Sequence, residues 1–174
     1  MEFSYVVSSH KATAVRHAVV CQFTSEDDRN LIIVKNSIIE VYTLTLDGLI
    51  PVTEFSLYGR ITAIEYYRPG NFTQDVLFVL TERKRFCVLK YDSRSKTIST
   101  HDKGDVSNRI GRDLDNGQKG IIDPDRRMIV MLLYDSSLKV DRVPSIVVKL
   151  LTFHRSFQSN QMVSRMPSMC GLKS

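Results

Sequence analysis

The sequence predicts an all-β protein of radial, propeller type, with two four-stranded blades, a partial third and a divergent C-terminal tail. Three observations predict it. First, an order of apolar run, short turn, apolar run, Asp-containing turn and weaker run recurs. It is clearest at Asp75–Thr100 (DVLFVL, TERKR, FCVLKYD, SRSKTIST), is mirrored at Asn30–Thr53, and starts a third time at Arg127–Val143. Second, in Ile38–Leu44 the residues Ile39, Val41 and Thr43 alternate with Glu40, Tyr42 and Leu44, and the first 150 residues show no convincing 3.6-residue periodicity. Third, from Leu31 to Leu77 the repeat advances 46 residues, inside the roughly 40–50 expected of a four-stranded blade.

Taken in order, Val15–Phe23 is a β-branched run ending at the turn signal Thr24–Asp28. Leu31–Val34 and Ile38–Leu44 follow, separated by Lys35-Asn36-Ser37, in which Asn36 tolerates a positive φ. Asp47-Gly48 is the strongest hairpin signal. Leu49–Leu57 is the fourth strand, and Pro51 places it at an edge because proline cannot donate to a ladder. The second unit runs through Ile61–Tyr67, Val76–Leu80, Phe86–Tyr91 and Lys96–Thr100. His101–Gln118 is polar and reads as a long surface loop. Gly120–Ile122 is a short strand, Met128–Tyr134 is the most hydrophobic and should be central, and Ser136–Val140 pairs back on it. Beyond Leu151 the alternation stops, so a fourth strand for the third unit is not expected. The division expected is 1–150 for the propeller portion and 151–174 for a disordered tail.

Charge and composition exclude several classes. The net charge of +5 divides into +3 from Arg155, Arg165 and Lys173 in the acid-free tail, and +2 from 21 basic and 19 acidic residues before it. A basic face for nucleic acid would need clustering in the folded part, so direct nucleic-acid binding is expected to be weak or indirect. Cys21, Cys87 and Cys170 are odd in number, far apart and outside any CxxC, which favours reduced thiols over zinc or disulfides. No basic region followed by a long apolar core opens the chain, and no run reaches the ~18 apolar residues of a membrane span.

The residues that could carry chemistry are few. Asp123 and Asp125 flank Pro124, and paired carboxylates act as acid and base only when a cleft separates their pKa values; in this setting they read as turn formers. His10, His17, His101 and His154 share no metal-ligand spacing. Arg83-Lys84-Arg85 sits at a hairpin tip and Arg109-Ile110-Gly111-Arg112 in the long loop. Each is a candidate phosphate or acid contact weighed against a solvated or salt-bridged role. Asn71-Phe72-Thr73 matches a glycosylation sequon that needs a secretory route. Phosphate-loop, dinucleotide and nucleophile-elbow motifs do not occur. No catalytic, cofactor-binding or metal-ligating residue is therefore named, no cofactor is expected, and an enzyme is not.

The chain resembles the N-terminal part of the large subunit of the damage-specific DNA-binding protein, the cullin-RING ubiquitin ligase adaptor. That family is shared with the large subunit of the cleavage-polyadenylation specificity factor and a splicing-factor 3b subunit. The residues that carry the likeness include Tyr5-Val6-Val7, Phe23-Thr24-Ser25, Asn30-Leu31, Tyr58-Gly59, Arg68-Pro69, Arg109-Ile110-Gly111-Arg112, Gly120–Pro124 and Leu133-Tyr134-Asp135. The resemblance implies a complete protein of three β-propellers and a helical C-terminal domain, of which this is the start of the first. It implies a non-catalytic scaffold in DNA repair and ubiquitination, located in the nucleus and secondarily the cytoplasm. Its partners would be substrate receptors, including a damage-recognition subunit that makes most of the DNA contact. The cullin-docking surface would be absent from this chain, and no membrane partner is implied. The likeness fades after Lys139-Val140, so the expectation is of a truncated, alternatively spliced or frameshifted product, or an imperfect gene model, whose ring cannot close. The competing expectation is a nucleic-acid-binding propeller fragment of an RNA-processing factor.

Overall fold

In the computed structural model the described residues are 10–70, 72–108, 111–123, 125, 128–135, 137–142 and 149–152. They form twelve strands in three antiparallel four-stranded sheets, with no helix among them. The first sheet is β1 (His17–Cys21), β2 (Asn30–Lys35), β3 (Ile38–Thr45) and β4 (Gly48–Ser56). The second is β5 (Ile61–Tyr67), β6 (Val76–Thr81), β7 (Arg85–Asp92) and β8 (Thr97–Asp105). The third is β9 (Lys119–Ile122), β10 (Met128–Tyr134), β11 (Ser137–Arg142) and β12 (Lys149–Thr152). Each sheet is a meander in chain order, and β5 lies against both β1 and β9. The first strands therefore gather on one side and the fourth strands fan outward, as in an incomplete β-propeller.

Local chemistry accounts for the meanders. Asn36 closes the β2–β3 hairpin at φ 60° and Gly48 the β3–β4 hairpin at φ 131°, a region that favours glycine. Pro51 lies on the outermost strand where the register slips between Val41 and Tyr42, so its missing N–H falls at an edge and a bulge. At the β1–β2 turn the buried Asn30 acts as a knot. Its Oδ1 accepts from the N–H of Phe23 (3.0 Å) and Thr24 (2.8 Å) and from the Thr24 hydroxyl (2.9 Å). Its amide nitrogen donates to Thr43 Oγ1 at 3.2 Å.

Packing runs sheet on sheet. Ile32, Val34, Ile39 and Val41 of the first sheet meet Ile64, Leu77, Val79 and Leu89 of the second. The opposite face of the second sheet, with Val76, Phe78, Leu80, Phe86 and Val88, meets Ile129, Met131, Leu133 and Tyr134 of the third. β6 is buried at all six positions because both its faces are covered. Each such aliphatic side chain contributes roughly 1.5–3 kcal/mol by leaving water. A polar clasp joins the first two sheets: the Gln22 N–H donates to Asp75 Oδ2 (2.8 Å), and Arg68 Nε donates to Asp75 Oδ1 (3.1 Å).

Two expectations need correction. The polar stretch after Thr100 is not all loop, because β8 continues to Asp105 and pairs with the full length of β7. As an outermost strand it faces water, so polar side chains do not oppose pairing, and Gly104 leaves room for the Phe86 ring. The third sheet also gains a fourth strand. Lys149–Thr152 pairs with β11, since backbone pairing at an outer edge needs no apolar alternation. The third sheet remains the slightest of the three, with four residues in each of its outer strands. The tail expected to be disordered lies, from residue 153 on, outside the described residues.

Candidate interaction surface

Turns between the second and third strands and the connections between sheets meet at one end of the stack. A belt of polar contacts runs across it. Arg60 Nε donates to Asn36 Oδ1 (3.2 Å), the Glu82 N–H donates to the Arg60 carbonyl (2.8 Å), and Gln118 Nε2 donates to the Glu82 carbonyl (2.7 Å). The belt therefore links all three sheets.

The basic tip Arg83-Lys84-Arg85 sits here, and the structure separates its three charges. The Arg83 guanidinium lies over the Tyr58 ring at 5.2 Å, and Arg85 pairs with Asp105 at 3.4 Å. Lys84, at φ 59°, turns inward to Asp113 (2.5 Å) and over the Tyr134 ring (4.7 Å). A run that is basic in sequence thus becomes three locally compensated cations.

Tyr134 organises the connection from Val106 to Gln118. It is 2% exposed, and its hydroxyl donates to the Asn108 carbonyl (3.1 Å) and accepts from the Asn108 N–H. The Asp135 N–H donates to the Arg112 carbonyl at 2.8 Å. Gly111 lies against the Tyr134 ring so closely that a Cβ there would come within 2.8 Å of Cε1 and nearer still to Cγ and Cδ1. The glycine of the Arg-Ile-Gly-Arg motif is thereby a packing residue. Arg112 is exposed and lies 3.8 Å from Asp115, while Arg109 and Ile110 fall outside the described residues.

Beside this belt lies a groove of about 560 Å³ at the seam of the first two sheets. Leu57, Phe86 and Cys87 give it an apolar floor, Tyr58 rims it at 83% exposure, and Arg85, Lys103 and Asp105 form a charged wall. Gly104 is needed there as well, since a Cβ would sit 2.5 Å from the Phe86 ring. The hydroxyl and N–H of Ser107, then Arg85, hold the Asp105 carboxyl below the usual carboxylate range, so the wall keeps its anion. Such a groove suits an apolar side chain flanked by polar groups.

The remaining candidates do not converge. Asp123 closes a turn through its N–H to the Met128 carbonyl (3.0 Å), and Asp125 follows in the same turn. His10 is exposed, and His101 packs edge-on against Phe72 (5.3 Å). His17 is partly buried on β1, and burial with help from Arg16 lowers its pKa. His154 and Cys170, with Asn71 of the sequon, lie outside the described residues. Among the described residues no three His, Cys, Asp or Glu side chains come together as a metal-binding group. Burial, with Asp75 second, pushes the Cys21 thiol up to about 12, and burial pushes Cys87 up to about 11, so both stay protonated. The groove itself was missed by sequence reasoning. Its only local signal is an exposed aromatic next to a left-handed glycine, Tyr58 and Gly59 (φ 127°).

Three radially gathered antiparallel four-stranded sheets define an incomplete β-propeller. A family model described as the RSE1/DDB1/CPSF1 first beta-propeller matches residues 14–172, and the chain belongs to that family. Among curated proteins it is similar to DNA damage-binding protein 1 of Oryza sativa subsp. japonica and of Solanum lycopersicum. It is similar as well to DNA damage-binding protein 1a of Arabidopsis thaliana. Each is 50% identical over 138 residues, covering 79% of this chain. The chain spans 13% of the length of each of these relatives.

Proposed function

We propose that this chain is a non-catalytic protein-interaction module of the DNA damage-binding kind, acting in the substrate-receptor adaptor of a cullin-RING ubiquitin ligase in the nucleus. Residues 1–150 would be its propeller portion and 151–174 a divergent tail, a boundary that falls inside β12. The observation that carries the reading is the groove of Leu57, Tyr58, Phe86, Cys87 and Gly104, in a chain 50% identical over 138 residues to DNA damage-binding protein 1 of Oryza sativa subsp. japonica. Its apolar floor and the Tyr58–Arg83 rim have the composition of an interface anchor site, where aromatic and Arg residues contribute most of the binding energy. A substrate receptor would place an apolar side chain on Phe86 and meet Asp105 and Lys103 with polar groups.

The test titrates a damage-recognition receptor against the 174-residue chain and against a full-length relative, by calorimetry. Tyr58→Ala should weaken binding by about tenfold or more, since truncating an aromatic anchor costs about 2 kcal/mol. Unchanged affinity with the fold intact would remove the groove from the reading. A second reading is a nucleic-acid-binding propeller, favoured by the pI near 9.2. It requires DNA affinity that falls steeply with salt as counterions are released. A flat salt response, or binding abolished by deleting residues 151–174, would assign any retention to something other than the propeller.

A further inference from the structure

The Tyr58 groove lies by the β6–β7 turn; a second pocket, of about 380 Å³, lies by the β7–β8 turn at the opposite end of those strands. Phe72 and Thr73 from the β5–β6 connection, Lys90 of β7, Ser93 and Arg94 of the turn, and Ser99 of β8 line it. All of them belong to the middle sheet or its own connections, and that sheet has a neighbour on both faces. Two contacts set the shape of the pocket. Gln74, 9% exposed, donates its amide to the Tyr91 carbonyl and ties the approach to β6 to the end of β7. Asp92 closes the turn, its Oδ1 accepting from the Arg94 N–H (3.0 Å) and its Oδ2 from the Ser95 hydroxyl (2.9 Å).

The cations of this pocket differ from the others in the fold. Arg60, Arg68, Lys84, Arg85 and Arg112 each have an acidic partner, whereas among the described residues neither Lys90 nor Arg94 makes an ion pair. Lys90 Nζ stands 4.2 Å over the Phe72 ring, and His101 packs edge-on against that ring at 5.3 Å. The ring fixes the position of the ammonium without neutralising it. Asp92, the acid in the lining, has both carboxylate oxygens engaged inside its own turn. Hydroxyl donors stand beside the cations. Among the described residues those of Thr73 and Ser93 have no partner, and that of Ser99 reaches the Lys90 carbonyl only at 3.4 Å.

We propose that this pocket binds the phosphate of a phosphoserine or phosphothreonine side chain on a protein partner. A phosphomonoester carries about −1.5 to −2 charge at neutral pH and three strong acceptor oxygens. Two unpaired cations and three hydroxyls answer that charge and those oxygens. A carboxylate brings a single charge and leaves one cation unmatched, and so does each phosphodiester of a nucleic acid. Lysine and arginine bonds to phosphate are charge-assisted and correspondingly strong. The volume also accommodates the side chain that carries the phosphate. A partner held here binds only once it is phosphorylated, and independently of the Tyr58 groove.

Fluorescence anisotropy of a labelled Gly-Gly-phosphoserine-Gly-Gly peptide, titrated with the 174-residue chain, tests it. Saturable binding is expected, and none by the same peptide without its phosphate. Lys90→Gln and Arg94→Gln should each weaken binding at least about tenfold, the worth of one hydrogen bond to a charged group. Lys90→Arg, which keeps the charge, should retain most of the affinity. Asp92→Asn removes a like charge while keeping an acceptor for the Arg94 N–H, and should tighten binding. No saturation, equal binding of the unphosphorylated peptide, or indifference to both glutamine substitutions would overturn the proposal. So would inorganic phosphate competing as tightly as the peptide, which leaves a free-anion site, or single-stranded DNA binding more tightly, which leaves a nucleic-acid site. Should circular dichroism show that a glutamine variant has lost its strand signal, Lys90→Met or Arg94→Ala takes its place under the same criterion.

Discussion

Replacing Gly111 by alanine tests the claim that Tyr134 organises the connection to the third sheet. The added Cβ would fall inside contact distance of Cγ, Cδ1 and Cε1, the rigid ring and not the tip of a flexible side chain. The ring cannot swing away freely. It is 2% exposed, its hydroxyl is bound to Asn108 on two sides, and Lys84 covers it at 4.7 Å. Overpacking of this kind costs about 1–3 kcal/mol. Loss of one hydrogen bond adds about 0.5–1.5 kcal/mol, and of the cation–π contact about 0.5–1 kcal/mol. The expected total is about 2–5.5 kcal/mol, a fall in Tm on the order of 5–20 °C for a chain of this size. Urea or thermal unfolding of Gly111→Ala, Tyr134→Leu and the double variant measures it. Since the Tyr134→Leu substitution removes the ring and leaves space for the Cβ, the two substitutions should couple by about 1–3 kcal/mol. Strict additivity, or a Gly111→Ala cost below about 0.5 kcal/mol, would refute the role assigned to the ring.

Two further outcomes follow from the buried titratable groups. In a Cys170→Ser variant, alkylation of Cys21 and Cys87 at about pH 8 should be far slower in the native chain than in denaturant, because both thiols are held protonated well above that pH; equal rates would contradict their burial. The lowered pKa of His17 means that the unfolded chain binds its proton first as pH falls from the ordinary value of 6.5. The stability it contributes is therefore complete above that value and declines as pH drops through 6.5 toward the folded-state pKa. A His17→Gln variant should show a shallower loss of stability between about pH 7.5 and 5.5. Burial raises the pKa of Glu65, which acts in the opposite sense. Glu65 is present in both proteins, so the difference between them isolates the histidine. An unchanged slope would show that His17 is solvated.

The candidate surface was less legible than the strands, and particular residues show why. Arg83-Lys84-Arg85 reads as one basic patch, yet its partners Tyr58, Asp113 and Asp105 lie 20 or more residues away in sequence for each cation. Only the folded chain brings them together. The glycine of the Arg-Ile-Gly-Arg motif was visible, but its reason, the ring of Tyr134, was not. Strand β8 looked like loop because an outermost strand carries the same polar residues as a turn, and what distinguishes it is the unpaired length of β7 beside it. β12 was hidden for a different reason: it is four residues long and its two adjacent leucines show no alternation.

By itself the sequence determined the repeat, the apolar runs of β2, β6 and β10, and the hairpins at Asn36 and Gly48. These are local properties, set by side-chain period and by which residues accept a left-handed φ. It also carried the family likeness, which is a property of residue order. The tertiary structure alone decided which faces meet. It alone assembled the groove at the seam of two sheets and compensated the basic turn. Those features depend on contacts between residues far apart in the chain, and their energy comes from burial and charge pairing that exist only once the sheets are packed.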